Sequence, residues 1–222
     1  MKFTSYASGS NGNLYTLEDG QTSIIIEAGL PYREMQRLLP KAPTDYAACL
    51  ISHEHGDHCN KKAVAELEQR GVEVITGVQL DRGRVFGDIV TKRFAVPHDV
   101  PNYGFMFRSL HDDETCLFLI DCFYCPVVPS FSPTIIAIEA NWARDLMQPG
   151  DSINDRLFTT HMSIDQCIKT LKAWDLSKTR EIHLLHMSDS RSDEEWFKHE
   201  VQAVTRVPTF AAQAYGPAGR VR

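Results

Sequence analysis

The stretch His53-Glu54-His55-Gly56-Asp57-His58 carries the strongest functional signal in the sequence. It follows an apolar run at residues 47–52 and precedes a helix that Asn60 can cap, so it occupies a strand-to-helix loop. Burying its three imidazoles and its carboxylate without partners would be costly. On an irregular loop, alternate side chains can point at one centre while Asp57 and His58 point at a second, as two neighbouring divalent ions require. The stretch therefore predicts a metal centre.

Further candidate ligands follow at wide spacing. His98 lies 40 residues after His58, Asp121 23 residues later, His161 another 40 residues on, and His186 a further 25. Each of them is placed at the end of a predicted strand. Because strand ends can converge on one edge of a sheet, we expect these side chains to complete the metal centre.

Apolar runs that predict strands alternate with a few amphipathic helices. Strands are predicted at residues 23–29, 47–52, 72–75, 89–96, 103–107, 116–121, 134–139 and 182–187. Helices are predicted to begin at Pro31, at Asn60, and at the two capping boxes Ser163-x-x-Gln166 and Ser192-x-x-Glu195. No linker divides the chain, so we expect one domain over residues 1–222, with a tail at 208–222 that is flexible or wraps the surface.

Composition excludes several classes of protein. The 222 residues are 43% hydrophobic and 23% charged, which is typical of a globular chain and not of a disordered one. A formal net charge of −6 argues against a general polyanion-binding surface. The sequence has no apolar run of membrane-spanning length and no signal-peptide pattern, so we expect a cytoplasmic protein without a membrane partner.

Taken together, the ligand positions resemble the metallo-β-lactamase superfamily, in which a cluster like that at 53–58 precedes a lone histidine, a bridging aspartate and a late histidine. The resemblance runs from Phe3 to about Ser190. It implies an α/β fold, specifically a four-layered αββα sandwich with a dinuclear Zn or Mn centre at one edge of its two sheets.

Several shorter motifs resemble the YycJ/WalJ-type exonuclease group. They are Ser8-Gly9-Ser10-Asn11-Gly12-Asn13, Val96-Pro97-His98-Asp99, Glu139-Ala140-Asn141, His161-Met162-Ser163 and Leu185-His186-Met187-Ser188. The late histidine pair also resembles ribonuclease Z and the phosphonate-pathway cyclic phosphodiesterase. The resemblance implies one ion on His53, His55 and His98, a second ion on Asp57, His58 and His186, and a bridge through Asp121.

The same resemblance implies catalytic roles for His161, as proton donor, and for Asp57. Ser10, Asn11 and Asn141 are candidate substrate contacts, although the glycine-rich loop can also be a simple tight turn and Asn141 a local cap. The chain departs from the family at Glu27, where Asp is usual behind the metal loop. Such a change typically costs about 10- to 100-fold in metal affinity or activity.

These residues predict a dinuclear phosphodiesterase, because two ions can activate a water and hold a phosphate oxygen while His161 protonates the leaving group. A nuclease acting on DNA ends or single strands is favoured. The alternatives are a phosphodiesterase for a cyclic nucleotide or another small cyclic phosphate, and a metal-stabilised binding module without turnover. Only 40 residues separate Asp121 from His161, too few for the large inserts of some branches, which leaves a compact site that is open or completed by a homodimer.

Overall fold

Two mixed sheets form the centre of the fold in the computed structural model, which describes residues 1–81, 83–148, 150 and 156–212. The first sheet has the order β1-β2-β3-β4-β5. Its strands are β1 (Lys2–Ala7), β2 (Leu14–Glu18), β3 (Ser23–Ile26), β4 (Cys49–Ile51) and β5 (Val74–Thr76). The last three run parallel, so β3 and β4 end at the same edge.

The second sheet has the order β12-β11-β10-β9-β8-β7-β6. Its strands are β6 (Arg84–Phe86), β7 (Ile89–Val96), β8 (Asn102–Ser109), β9 (Thr115–Leu119), β10 (Ile135–Glu139), β11 (Glu181–Leu185) and β12 (Thr209–Ala211). Strands β9 to β12 are parallel to one another. Their carboxyl ends therefore lie at one edge of the sheet.

Helices cover the outer faces of both sheets. They are α1 (Tyr32–Leu38), α2 (Lys61–Gln69), α3 (Leu157–Thr160), α4 (Ile164–Lys172) and α5 (Glu194–Thr205). Met35 and Leu67 of α1 and α2 pack on the first sheet, and Leu171 and Val201 of α4 and α5 pack on the second. A separate core containing Phe118 fills the space between the sheets. The layers run helix, sheet, sheet, helix, which confirms the predicted αββα sandwich.

Two of the three predicted helix caps are present as expected, and one is displaced by a residue. Asn60 accepts a hydrogen bond from the backbone N–H of Ala63, and Ser163 accepts one from Gln166. The prediction of a cap at Ser192 is wrong, because Asp193 accepts the N–H of Trp196 instead. The hydroxyl of Ser192 donates to the backbone oxygen of Ser188. A carboxylate and a hydroxyl are both good caps, so adjacent candidates compete for the position.

The first residues of the tail predicted from residue 208 pack against the second sheet. Thr209–Ala211 pairs in parallel with β11, and Ala212 is buried. An alternating pattern this short is hard to distinguish from a loop in sequence. The remainder of that predicted tail, residues 213–222, lies outside the described residues.

Unusual backbone conformations mark the edge where the strands end. Glu27, Asp121 and His186 have φ angles of 67°, 49° and 53°. Non-glycine residues adopt positive φ only at a cost, and such residues concentrate at functional sites. No helix in the described ranges is long and apolar enough to cross a bilayer.

Candidate metal centre

The first group of ligand atoms comes from His53, His55, His98 and Asp121. Nδ1 of His55 lies 3.0 Å from Nε2 of His53 and 3.2 Å from Nε2 of His98. Oδ2 of Asp121 lies 3.5 Å from Nε2 of His53 and 3.9 Å from Nε2 of His98. The residues predicted to hold one ion therefore converge, although they come from three separate loops.

The second group comes from Asp57, His58, Asp121 and His186. Nε2 of His58 lies 3.2 Å from Asp121 Oδ2 and 3.3 Å from Asp57 Oδ2. Nε2 of His186 lies 3.4 Å from Asp57 Oδ2, and its Nδ1 lies 3.4 Å from Asp121 Oδ1. Asp121 belongs to both groups, which is the placement a bridging ligand requires.

The donor set fits divalent ions. Nitrogen atoms around a tetrahedral Zn²⁺ lie about 3.3 Å apart when each is about 2.0–2.1 Å from the ion, close to the separations in the first group. Nδ1 of His98 faces the backbone oxygen of Thr160 at 3.2 Å, so Nε2 is the nitrogen turned toward the group. Oδ1 of Asp121 is buried without a hydrogen-bond partner. A cation bound here would accept the lone pairs of His98 Nε2 and of the unpartnered Asp121 Oδ1.

The surroundings of the two histidines His53 and His186 shift their pKa values in opposite directions. Burial lowers the pKa of His53 to about 2, and the neighbouring His58 adds to this effect. Burial also disfavours a proton on His186, but the charge of Asp121 and the hydrogen bonds to Asp57 and Glu139 raise its pKa to about 10. The pKa of Asp57 is held well below its usual range by His186 and His58, despite burial. Carboxylates in the centre are thus ionised and available as ligands.

Glu27 lies behind the second group, as the resemblance implied for its position. Its carboxylate accepts the backbone N–H of Ser52 at 3.2 Å, and its Oε2 lies 3.6 Å from Nδ1 of His58. It is completely buried. The longer side chain therefore still reaches the back of His58, where a carboxylate can orient a ligating imidazole.

Glu139 is a site residue to which sequence reasoning assigned no role. It ends β10, is completely buried, and its Oε1 lies 2.6 Å from Nδ1 of His161. Its Oε2 accepts the backbone N–H groups of Cys122 and Met162. A third group, whose ligand atoms also lie close together, consists of Glu139, Asp121, His161 and His186. The available signal was a carboxylate at the end of a strand of five buried residues.

His161 lies beside the ligand groups, but not on the predicted type of element. It directly follows α3 instead of ending a strand. Burial disfavours a proton on this ring, yet the charge of Glu139 and its hydrogen bond raise the pKa of His161 above the ordinary value. The side chain is 16% exposed, which leaves it accessible from the cavity beside it.

A cavity of about 220 Å³ lies beside His161. Its lining includes Ser8, Ser10, Asn11, Asn141, His161 and Ser188. Ser10 and Asn11 are exposed, whereas Asn141 is buried and donates its amide N–H to the backbone oxygen of His186. The predicted substrate contacts therefore share one cavity with His161, while the Asn141 amide also holds the loop that carries His186.

A larger cavity of about 590 Å³ lies on the outer face of the second sheet. Its lining includes Val90, Met106 and Lys178 and contains none of the ligand residues. Volume alone does not identify an active site. The smaller cavity is the better candidate, because it is lined by His161, a titratable group with a perturbed pKa, next to the ligand groups.

Comparisons with known proteins give relatives in sequence and neighbours in fold. No family model matches the chain. The sequence is 24% identical over 233 residues to exodeoxyribonuclease WalJ of Streptococcus pneumoniae, with 88% of this chain and 84% of the relative covered.

Solved structures show the same fold. The metallo-β-lactamase fold protein YhfI from Bacillus subtilis superposes with a TM-score of 0.72 at 17% identity, covering 95% of both chains. The short form of human tRNase Z superposes with a TM-score of 0.63 at 14% identity, covering 97% of this chain and 98% of the other. The architecture and these likenesses identify the chain as a protein of the metallo-β-lactamase fold that is similar in sequence to the WalJ exodeoxyribonucleases.

Proposed function

We propose that the chain is a metal-dependent phosphodiesterase, and specifically a nuclease that acts on DNA ends or single strands. The observation that carries the proposal is the contact between Glu139 and His161 at the edge of the ligand groups, facing a cavity. A half-buried histidine beside a metal centre, with its pKa raised by a carboxylate, is suited to donate a proton to a leaving oxygen. The similarity to WalJ, named as an exodeoxyribonuclease, supports DNA as the substrate.

The residues proposed to hold the metal are those of the first two groups. His53, His55 and His98 would bind one ion, Asp57, His58 and His186 the other, and Asp121 both. Bound Zn or Mn ions would supply Lewis acidity toward a phosphate oxygen and acidify water. Asp57 is 23% exposed, against 3% for Asp121, and it is the carboxylate of the second group to which we assign a catalytic role.

His161 would hold the proton that the leaving group needs. Its Nδ1 is engaged by Glu139, so its Nε2 is the nitrogen left to face the substrate. Burial disfavours a proton on His161, but the negative charge of Glu139 outweighs it and raises the pKa of His161, which favours the protonated ring. Glu139 is in turn fixed by two backbone N–H groups, which keep the pair in one orientation.

The loop of Ser8-Gly9-Ser10-Asn11 is the proposed substrate-facing wall. Gly9 has a φ of 132°, which favours glycine, and the backbone hydrogen bond from Gly12 to Gly9 closes the turn. Ser10 and Asn11 project from this turn into the lining of the cavity. Their hydroxyl and amide groups can donate to phosphate oxygens.

A homodimer remains a prediction, which light scattering on the protein tests.

The experiment measures hydrolysis of bis(p-nitrophenyl) phosphate and of end-labelled single-stranded DNA by metal-free protein resupplied with Mn or Zn. We expect turnover of both only with metal, and its loss in His161→Ala. His199→Ala is the matched control, since that ring is 78% exposed on α5. Turnover of cyclic nucleotides in place of DNA would establish the alternative substrate class. Bound metal with no turnover of any diester would favour a binding module.

A further inference from the structure

We propose that Arg156 binds a substrate phosphate next to the scissile one, at the mouth of the first ligand group. The proposal rests on the proposed nuclease function and deepens it, because it assigns a residue that selects substrates with more than one phosphate. Arg156 immediately precedes α3, and its side chain is 58% exposed.

A carboxylate holds this arginine in place. Nε and Nη2 of Arg156 both lie 2.5 Å from Oδ2 of Asp99. The other oxygen of Asp99 lies 3.5 Å from Nε2 of His55 and 3.2 Å from Nε2 of His98. Asp99 therefore connects the guanidinium to the histidines of the first ligand group.

The guanidinium has donors to spare once His55 acts as a ligand. Nη2 of Arg156 lies 3.1 Å from Nε2 of His55, but Nδ1 of His55 is the nitrogen that faces His53 and His98. A neutral imidazole that binds metal through Nδ1 carries its proton on Nε2, so it cannot accept from arginine. Arginine has five N–H donors, and Asp99 accepts only part of them. The remainder match the oxygens of a phosphate.

The short helix α3 sets the distance between Arg156 and the proposed proton donor. Arg156 precedes α3 and His161 follows it, five residues later, which corresponds to about 8 Å along a helix axis. The backbone oxygen of Thr160 in the same helix lies 3.2 Å from Nδ1 of His98, which ties α3 to the ligand group. Because the guanidinium lies at His55 and Asp99, and His161 lies at Glu139, we assign the arginine to a phosphate beside the one that His161 faces.

The test compares Arg156→Ala with Arg70→Ala on two substrates. Arg70 is the matched control, because it forms an exposed ion pair with Glu66 on α2. We expect Arg156→Ala to lower kcat/KM for a single-stranded oligonucleotide by roughly 10- to 100-fold, mainly through KM. The loss on bis(p-nitrophenyl) phosphate, which has one phosphate, is expected to be at least several-fold smaller. Arg156→Lys should recover part of the DNA activity, since it keeps the charge but not the fork.

Binding gives a readout that is independent of turnover. In a His161→Ala background, we expect Arg156→Ala to reduce the slope of log Kd for the oligonucleotide against log salt by about 0.7. The inference is overturned if Arg156→Ala matches Arg70→Ala, if both substrates lose activity equally, or if the variant loses its metal. If the parent protein neither binds nor cleaves the oligonucleotide, the proposed function itself fails.

Discussion

The Oε1 atom of Glu139 lies 2.6 Å from the Nδ1 atom of His161, and these two residues come from different elements, 22 positions apart. Glu139 is completely buried at the end of β10, whereas His161 lies at the cavity beside the ligand groups. Burial would normally remove the charge from both. Their opposite charges instead lower the pKa of Glu139 and raise that of His161. The pair therefore favours a proton on His161 and an ionised Glu139 beside the ligand groups.

Substitution of Glu139 by Gln should change the pH dependence of turnover. Removal of the carboxylate charge lowers the pKa of His161, and a general acid is active only below its pKa. The basic limb of the kcat profile should therefore move to lower pH, and kcat on that limb should fall about tenfold for each pH unit by which the pKa of His161 decreases. Profiles from pH 5 to 9 measure this. An unmoved basic limb in a variant of parental thermal stability would contradict the assignment.

Substitution of His161 by Ala should lower kcat for phosphodiesters by about 100- to 10,000-fold, the range typical of a lost general acid. His161 is outside the two groups proposed to hold the ions, so the metal content should stay at the parental value. Elemental analysis and steady-state kinetics on one preparation test both points. Loss of metal from the variant would instead place His161 among the ligands, through its group with Asp121, Glu139 and His186.

Metal affinity should rise with pH. Without metal, His186 has a pKa of about 10 and holds a proton at neutral pH, whereas a ligating imidazole must be neutral. Binding thus releases this proton below about pH 10, and the affinity should increase by about tenfold for each pH unit and each proton released. Competition with a chromogenic chelator at pH 6.5, 7.5 and 8.5 gives the slope, and calorimetry in two buffers counts the protons. An affinity independent of pH would refute the expectation.

Glu27→Gln should weaken metal binding by about 10- to 100-fold. The variant keeps an oxygen for the N–H of Ser52, but it can turn an amide donor toward Nδ1 of His58, 3.6 Å from Oε2. A donor there no longer supports the tautomer that binds metal through Nε2. Glu18→Gln, on β2 in the same sheet, is a suitable control. Equal metal affinity in Glu27→Gln and the parent would show that this carboxylate does not tune the centre.

Phe118→Ala should destabilise the fold by about 3–5 kcal/mol, because a large ring in a packed core leaves a cavity when removed. Phe118 is completely buried between the sheets, with its ring 5.4 Å from that of Tyr15 and 6.3 Å from that of Phe105. Leu110→Ala, at a position 59% exposed, should change the free energy of unfolding by less than about 0.5 kcal/mol. Urea unfolding monitored by circular dichroism compares the two variants.

Local sequence determined much of the architecture. The apolar run at 89–96 coincides with β7, and the caps at Asn60 and Ser163 begin α2 and α4. The ligand-rich loop at 53–58 also follows from local pattern, since alternate residues of one short segment necessarily lie close together. Such features depend on neighbours in the chain, which periodicity and capping chemistry describe well. Where two adjacent residues can both cap, as Ser192 and Asp193 can, the local pattern locates the start of the helix only to within a residue.

The tertiary structure alone decided how the distant residues meet. Glu139 becomes the partner of His161, and Asp99 joins Arg156 to His55, only because α3 returns the chain to the edge where the strands end. Likewise β12 joins the sheet through pairing with β11, not through its own short pattern. These contacts depend on register and on sheet packing, which place side chains by residues far away in the chain. The type of a residue determines the chemistry of its side chain, but the packing of the two sheets determines which residue that side chain contacts.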